Sequence, residues 1–310
     1  MSDSDPPLRP IISVTVRPAS DGERGELERT LNGLTRRDPS LTISTGLPDG
    51  RAVISGTSES QLESVCDQIS HELKIGLLID EPRVIYLETI RKASEAEGKY
   101  IRQVGGHGNY AHVKLRLEPR DSGSGYQFVN ETKKSQIPPE FIEHVAAGIL
   151  EAAQHGILAG YEMVDLRVVL YDGSYHAEDS NDMAFRFAGS AAFREAVLKA
   201  SPIILEPVMS IEAEVPEKLL SNLVGYLNSL RGRIEGAEGS DGWITIRAIA
   251  PLAELLQSGE NGEPAYPMRF SGYEPAPPRD WDGGDGAGVV ANKPEFPRTG
   301  RGSAAAEPEL

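Results

Sequence analysis

A single cysteine, Cys66, stands among 310 residues. One thiol can neither close an internal disulfide nor build a cysteine cage around zinc, so the disulfide-stapled and zinc-cysteine classes are excluded and a reducing compartment is expected. Long apolar runs are missing too. Nothing approaches the roughly 18 consecutive apolar residues of a membrane span, and the N-terminal MSDSDPPLRP has no basic stretch leading into an apolar one. The expected location is therefore cytoplasmic, with no membrane partner. Positive charge is in deficit: 31 Lys and Arg face 47 Asp and Glu, for a formal net charge of −16, which argues against a generic basic nucleic-acid binder and against DNA. Also absent is the string G-x-x-x-x-G-K-[ST] that cradles nucleotide phosphates, so no GTP and no other cofactor is expected.

What is present is ordinary globular composition, 39% apolar and 25% charged. The first segment, 10–86, follows a leader (1–9) expected to be disordered. Ile11–Val16 alternates as a strand, and Leu27, Leu31 and Leu34 form a helical stripe. Leu41–Ser44 and Arg51–Ser55 flank the turn Leu47-Pro48-Asp49-Gly50. Leu62, Val65, Cys66, Ile69 and Leu73 mark a second helix, and Ile75–Ile79 with Val84–Tyr86 ends the unit. The order β-α-β-β-α-β predicts a four-stranded sheet with two helices on one side, a ferredoxin-like module.

The order recurs over 204–275. Ile203–Val215 is extended, Pro216 opens a helix bearing Leu219, Leu220, Leu223, Val224 and Leu227, and strands at Gly232–Ala237 and Trp243–Ala250 surround a Gly239-Ser240-Asp241-Gly242 turn. A short helix at Pro251–Leu256 and a strand at Tyr266–Phe270 complete it. Between the modules, 87–203 has another rhythm: a long strand pair around Lys99–Leu117, a strand near Tyr126–Val129, and a helix opened by Pro138-Pro139. A strand at Met163–Tyr171 and a helix from Ser180 to Ala200 follow. The fold class predicted is α+β, two ferredoxin-like modules flanking a central α+β unit. Beyond 275, EPAPPRDWDGGDGAGVV and RGSAAAEPEL cannot bury enough apolar area to offset ordering, so 276–310 is expected to be a disordered tail.

Charge is uneven across these segments. Basic and acidic groups number 9 and 14 in 1–86, 13 and 16 in 87–203, and 5 and 11 in 204–275. The middle unit is the least acidic per residue, so a local RNA contact stays open on an acidic protein.

Several co-linear stretches resemble one family. IRQVGGHGNYAHVKLRLEP (101–119), LYDGSYHAEDSNDMAFRFAGSAAFREAV (170–197) and ILEPVMSIEAEVPE (204–217) resemble the C-terminal half of bacterial elongation factor G. ISVTVRP, SGTSESQLE and EPRVIYLETI resemble its third domain, and LVGYLNSLRGRI with IRAIAPLAELL its fifth. The resemblance covers about 10–273. It implies third, fourth and fifth domains in order, the fourth ribosomal-protein-like and reaching toward the decoding region of the ribosomal A site. It further implies that Gly105, Gly106, His107, Gly108 and Tyr110, with Gly173, Ser174, Tyr175, His176, Glu178 and Asp179, form the tip loops that contact ribosomal RNA. The implied partner is the ribosome, its RNA and proteins, and the implied process is translation.

The residues suit that role. RNA is read by shape, phosphates, the 2′-hydroxyl and stacking, and the loops offer Tyr175, His176, His107 and Tyr110 among small residues. On their own, the glycines favour an ordinary tight hairpin, and it is the resemblance that reverses the preference. His176 beside Glu178 and Asp179 also fits an acid/base pair or a hard-metal site, or simply a polar loop capping the helix near Ser180-Asn181-Asp182. With no nucleophile and orienting base in view, capping and RNA contact are preferred over catalysis, and no enzyme and no metal site are expected. His107 and His112, five apart, suit neither one helix face nor one strand face, and His71, His144 and His155 read as surface residues.

The chain begins with Met and reaches its first strand within ten residues, so the family's GTPase domain is not expected and a separate GTPase domain or subunit is a second candidate partner. The sequence also departs from the family's pattern, with Ser60 and Gln61 in place of Leu and His, and Leu230 in place of the first of two paired arginines, leaving Arg231.

Overall fold

The computed structural model describes residues 9–47, 50–104, 107–259 and 266–278. The expected leader and tail therefore lie outside the described residues, apart from Arg9 and 276–278.

The first module runs β1 (Ile12–Pro18), α1 (Arg24–Leu34), β2 (Thr42–Ser44), β3 (Ala52–Gly56), α2 (Glu59–Leu73), β4 (Leu77–Ile79) and β5 (Arg83–Val84). The sheet order is β2-β3-β1-β4, with β5 continuing the β4 edge along β1, the ferredoxin-like arrangement expected. Leucines at i, i+4 and i+7 put one face of α1 into the core, where Leu27, Leu31 and Leu34 are buried. Ser58 caps α2 by accepting from the Gln61 N–H. Gln61, the family-atypical residue, is absorbed locally: its amide donates to Ser40 Oγ at 2.7 Å and Asp38 Oδ2 at 3.2 Å, and its Oε1 accepts from Thr57 N at 2.8 Å.

Cys66 lies inside this core at 2% exposure, and burial, with Asp67 and Glu63 nearby, pushes its thiol up to about 11. Because the folded value exceeds the ordinary 9.0, the thiol's contribution is intact at neutral pH and is lost as pH rises through about 11. A thiol reagent at pH 8 is expected to leave native Cys66 unmodified and to react stoichiometrically in urea. Rapid modification of the native chain would contradict this placement.

The middle module comprises β7 (Ser94–Val104), β8 (His107–Pro119), β9 (Tyr126–Asn130), α3 (Pro139–Gln154), β10 (Leu166–Ser174) and α4 (Asp182–Lys199). Its sheet order is β7-β8-β10-β9, with β9 and β10 parallel and joined through α3. Along β8, Ala111, Val113, Leu115 and Leu117 are buried toward the two helices, so Tyr110, His112, Lys114 and Arg116 occupy the opposite, open face. The helices approach closely because glycine and alanine line their contacts. A Cβ on Gly148 would stand 2.1 Å from the Arg186 carbonyl oxygen, and one on Gly98 of β7 would stand 2.1 Å from that of Ala188.

The last module runs β11 (Pro202–Pro216), α5 (Leu220–Ser229), β12 (Arg233–Ser240), β13 (Trp243–Pro251), α6 (Leu252–Gly259) and β14 (Met268–Pro275). The order β12-β13-β11-β14 repeats the ferredoxin-like plan. Two details differ from expectation. The β12–β13 turn is the two-residue Asp241-Gly242, both at positive φ, so Gly239 and Ser240 are paired strand rather than turn. β6 (Leu87–Ile90), at the start of the 87–203 segment, pairs with Pro202–Leu205 and extends the last module's sheet. The first and last modules also share one core, since Met209 and Leu252 pack among Ile11, Val16, Leu27 and Ile54.

Candidate nucleic-acid interface

The end of the middle sheet distal to β6 gathers the candidate residues. A bulge creates the alignment: the β10–β8 register shifts between Leu170 and Asp172, leaving Tyr171 as the extra residue. The shift turns Asp172 onto the open face, where it meets Lys114 at 2.8 Å, and places Gly173 opposite Val113 and Ser174 opposite His112. Gly173 and Ser174 therefore end a strand and are not loop, as the sequence suggested. A Cβ on Gly173 would lie 2.5 Å from the His112 carbonyl oxygen and from Ile137 Cδ1, so only glycine fits between strand and core.

The loop after β10 folds back onto β8. Tyr110 N donates to the Asp179 carbonyl at 2.8 Å, Ser180 Oγ donates to the Tyr110 carbonyl at 2.7 Å, and Asn181 Nδ2 donates to Asn109 Oδ1 at 2.6 Å. Asn181 also caps α4 by accepting from Ala184 N at 2.9 Å. The Asp179 carboxylate sits against Gly108, where a Cβ would lie 2.5 Å from it. Tyr110 and His176 rings are 6.5 Å apart, and Tyr175 is 42% exposed. The structure thus brings together Gly108, Tyr110, Ser174, Tyr175, His176 and Asp179. Gly105, Gly106 and the His107 side chain lie outside the described residues, and Glu178, which precedes Asp179 in the loop, is exposed.

His176 Nδ1 lies 3.2 Å from Asp179 Oδ2, but the adjacent Ser180 hydroxyl is committed to the backbone, donating to Tyr110 and accepting from His176 N at 2.9 Å. A second relay was not foreseen. Ser174 Oγ lies 3.3 Å from His112 Nδ1, and His112 Nε2 lies 3.0 Å from Glu97 Oε2, while Tyr110 Oη shares Ser174 at 2.8 Å. These groups lie on the open sheet face, and Tyr110 ties the Ser174 hydroxyl into the network, which braces the tip. Hydrogen bonds from Lys99 and then His112 hold the Glu97 carboxyl below its usual range. Those from Lys114 and the Gly173 N–H do the same for Asp172.

Charge on this face is largely neutralised within the chain. Lys99 pairs with Glu97, Lys114 with Asp172, Arg116 with Glu118 and Glu131, and Arg167 with Glu118. Arg102, exposed at the tip end of β7, has no ion-pair partner among the described residues. Arg102 did not stand out in the sequence; Asn181 did, as a cap of α4, but its bond to Asn109 and the bracing role of His112 depend on which strand ends meet. Among the described residues no cluster of His, Cys, Asp and Glu is arranged to hold a metal ion, and no helix is long and apolar enough to cross a membrane.

Three family models account for this architecture along almost the whole chain. Elongation factor G domain III matches residues 8–81, domain IV matches 82–201, and the elongation factor G C-terminus matches 203–282. The chain belongs to the elongation factor G family. A crystal structure of a Thermus thermophilus protein matches with a TM-score of 0.63 and 33% identity over 89% of this chain. The match covers 42% of that protein, so the chain spans less than half of its length. The modules described are thus translation-factor domains, and the tip belongs to the segment matched by domain IV of elongation factor G.

Proposed function

We propose that this chain is an elongation-factor-G-like ribosome-binding protein that acts in the cytoplasm, with its middle module entering the A-site decoding region tip first. The observation carrying the proposal is the joined tip, in which Tyr110, Tyr175 and His176 are presented on a network braced by Ser174, His112 and Asn181. The exposed rings of Tyr175 and His176 suit stacking on unpaired bases, and Arg102 supplies one cation for a phosphate. Binding is expected to be weak and shallow in its salt dependence, because most cations of the open face are already paired with carboxylates.

The residues of this chain bind and position; they carry out no chemical step and need no cofactor of their own. A second reading, docking to a separately encoded GTPase subunit, draws on the acidic end modules. A pull-down from lysate without added nucleotide separates the two. Recovery of ribosomal RNA and ribosomal proteins supports ribosome binding, recovery of a GTPase without ribosomes supports the second reading, and recovery of neither overturns both.

A further inference from the structure

Glu88 is fully buried on β6 and has no cationic partner within ion-pair distance among the described residues. Its carboxylate instead accepts five backbone N–H groups from the loop after α3. Oε2 accepts from Ile157 at 2.7 Å and Leu158 at 2.8 Å, and Oε1 accepts from Ala159 at 2.7 Å, Gly160 at 2.9 Å and Tyr161 at 3.1 Å. Successive amides converging on one anion form a nest, and here the anion is supplied by the chain itself. Gly156 and Gly160, at φ of 64° and 95°, give the loop its curvature, and a Cβ on Gly156 would lie 2.2 Å from the Tyr161 carbonyl oxygen.

The nest lies where the three modules meet. Ile85 donates to the Ile11 carbonyl at 2.9 Å and accepts from the Tyr273 hydroxyl at 3.1 Å, tying the chain to the first and last modules. One edge of β6 pairs with β11. On the other, Glu88 N donates to Glu162 and Val164 N donates to the Glu88 carbonyl, both at 2.9 Å. Tyr86 and Tyr161 rings stand 5.4 Å apart beside them, and Arg9 pairs with Glu162. The main chain joins the middle module to its neighbours only at 91–93 and 200–201, two adjacent passages about which it could pivot.

We infer that Glu88 is a positioning residue whose carboxylate, by filling the amide nest of residues 157–161, fixes the orientation of the tip-bearing module against the other two. The inference concerns the isolated chain and does not depend on ribosome binding. With the carboxylate removed, five N–H groups lose their common acceptor, the loop loses its fold and the pivot is released.

The test places spin labels on exposed helices of the first and middle modules, through Glu63→Cys and Glu143→Cys in a Cys66→Ala background, and measures the distance distribution between them. The parent is expected to give one narrow distance. Glu88→Ala is expected to widen it about twofold or more, and acetate or formate, but not chloride at equal ionic strength, to restore it by entering the vacated nest. Should Glu88→Ala fold only with added acetate, folding itself is the readout, with the same selectivity over chloride expected. Glu88→Gln, which keeps the shape but turns a donor toward the amides, is expected to widen the distribution and to resist acetate rescue. A folded Glu88→Ala with the parent distribution, or a loss that acetate and chloride relieve equally, would overturn the inference.

Discussion

Gly98→Ala is expected to destabilise the middle module by about 3 kcal/mol, near the upper end for an overpacked site. The added methyl would lie 2.1 Å from the Ala188 carbonyl oxygen and 2.7 Å from Ala192 N, both backbone atoms of α4, so no rotamer change relieves the overlap and the helix must lift from β7. That movement would open the contacts of Ala188, Ala192 and Phe193 with the sheet, all fully buried. Gly225→Ala is the matched control. It lies within α5 with nothing inside 4 Å of the added atom, and is expected to stabilise by about 0.5–1 kcal/mol through reduced unfolded-chain entropy. Urea unfolding of both variants decides the point. A Gly98→Ala chain within about 0.5 kcal/mol of the parent would show that the helix–sheet contact is not as close as described.

Arg231→Met is expected to cost about 2–3 kcal/mol, less than the full penalty for breaking a buried pair because Arg231 is itself partly exposed. Its two terminal nitrogens meet Glu206 Oε1 at 2.8 Å and Oε2 at 2.9 Å, and its Nε meets Glu254 at 2.8 Å. Glu206 is only 4% exposed, so removing the guanidinium strands a carboxylate away from water. Hydrogen bonds donated to Glu206 first, and then to Glu254, hold the arginine firmly protonated against the cost of its partial burial. The Glu206→Gln/Arg231→Met double variant is expected to recover part of the loss, since it removes the stranded charge. A double variant no better than Arg231→Met would assign the loss to packing alone. The remaining arginine of the family's pair thus has a structural employment in this chain, bracing the α5–β12 corner against β11 and α6.

The two ferredoxin-like plans were legible because their signals are local. Leucine spacing identified α1, residues 62–73 identified α2, alternation identified β1, and the turn before Trp243 set off β13. α4 is different. Its buried side is mostly alanine and glycine, so what marks it as a core helix is the close approach seen in space, not apolar contrast along the chain. The bulge at Tyr171 was not legible, since one extra residue leaves the composition of β10 unchanged while moving Asp172 and Ser174 onto the open face. Nor did four residues of β6 say which sheet they would join. Glu88, in the sequence, reads as one more carboxylate in an acidic protein; only the loop at 157–161 gives it five donors. Within the tip, the sequence named the rings, the carboxylates and the Asn181 cap, but not the bonds through which Asn109, His112 and Asn181 brace them.

The central proposal is that this chain meets the ribosome through the joined tip, and co-sedimentation with purified ribosomes at low salt tests it most directly. The parent chain is expected to pellet with ribosomes, whereas a Tyr175→Ala/His176→Ala variant, altered only at exposed rings, is expected to remain largely in the supernatant. Absence of pelleting by the parent while a full-length elongation factor pellets, or equal pelleting of parent and variant, would contradict it.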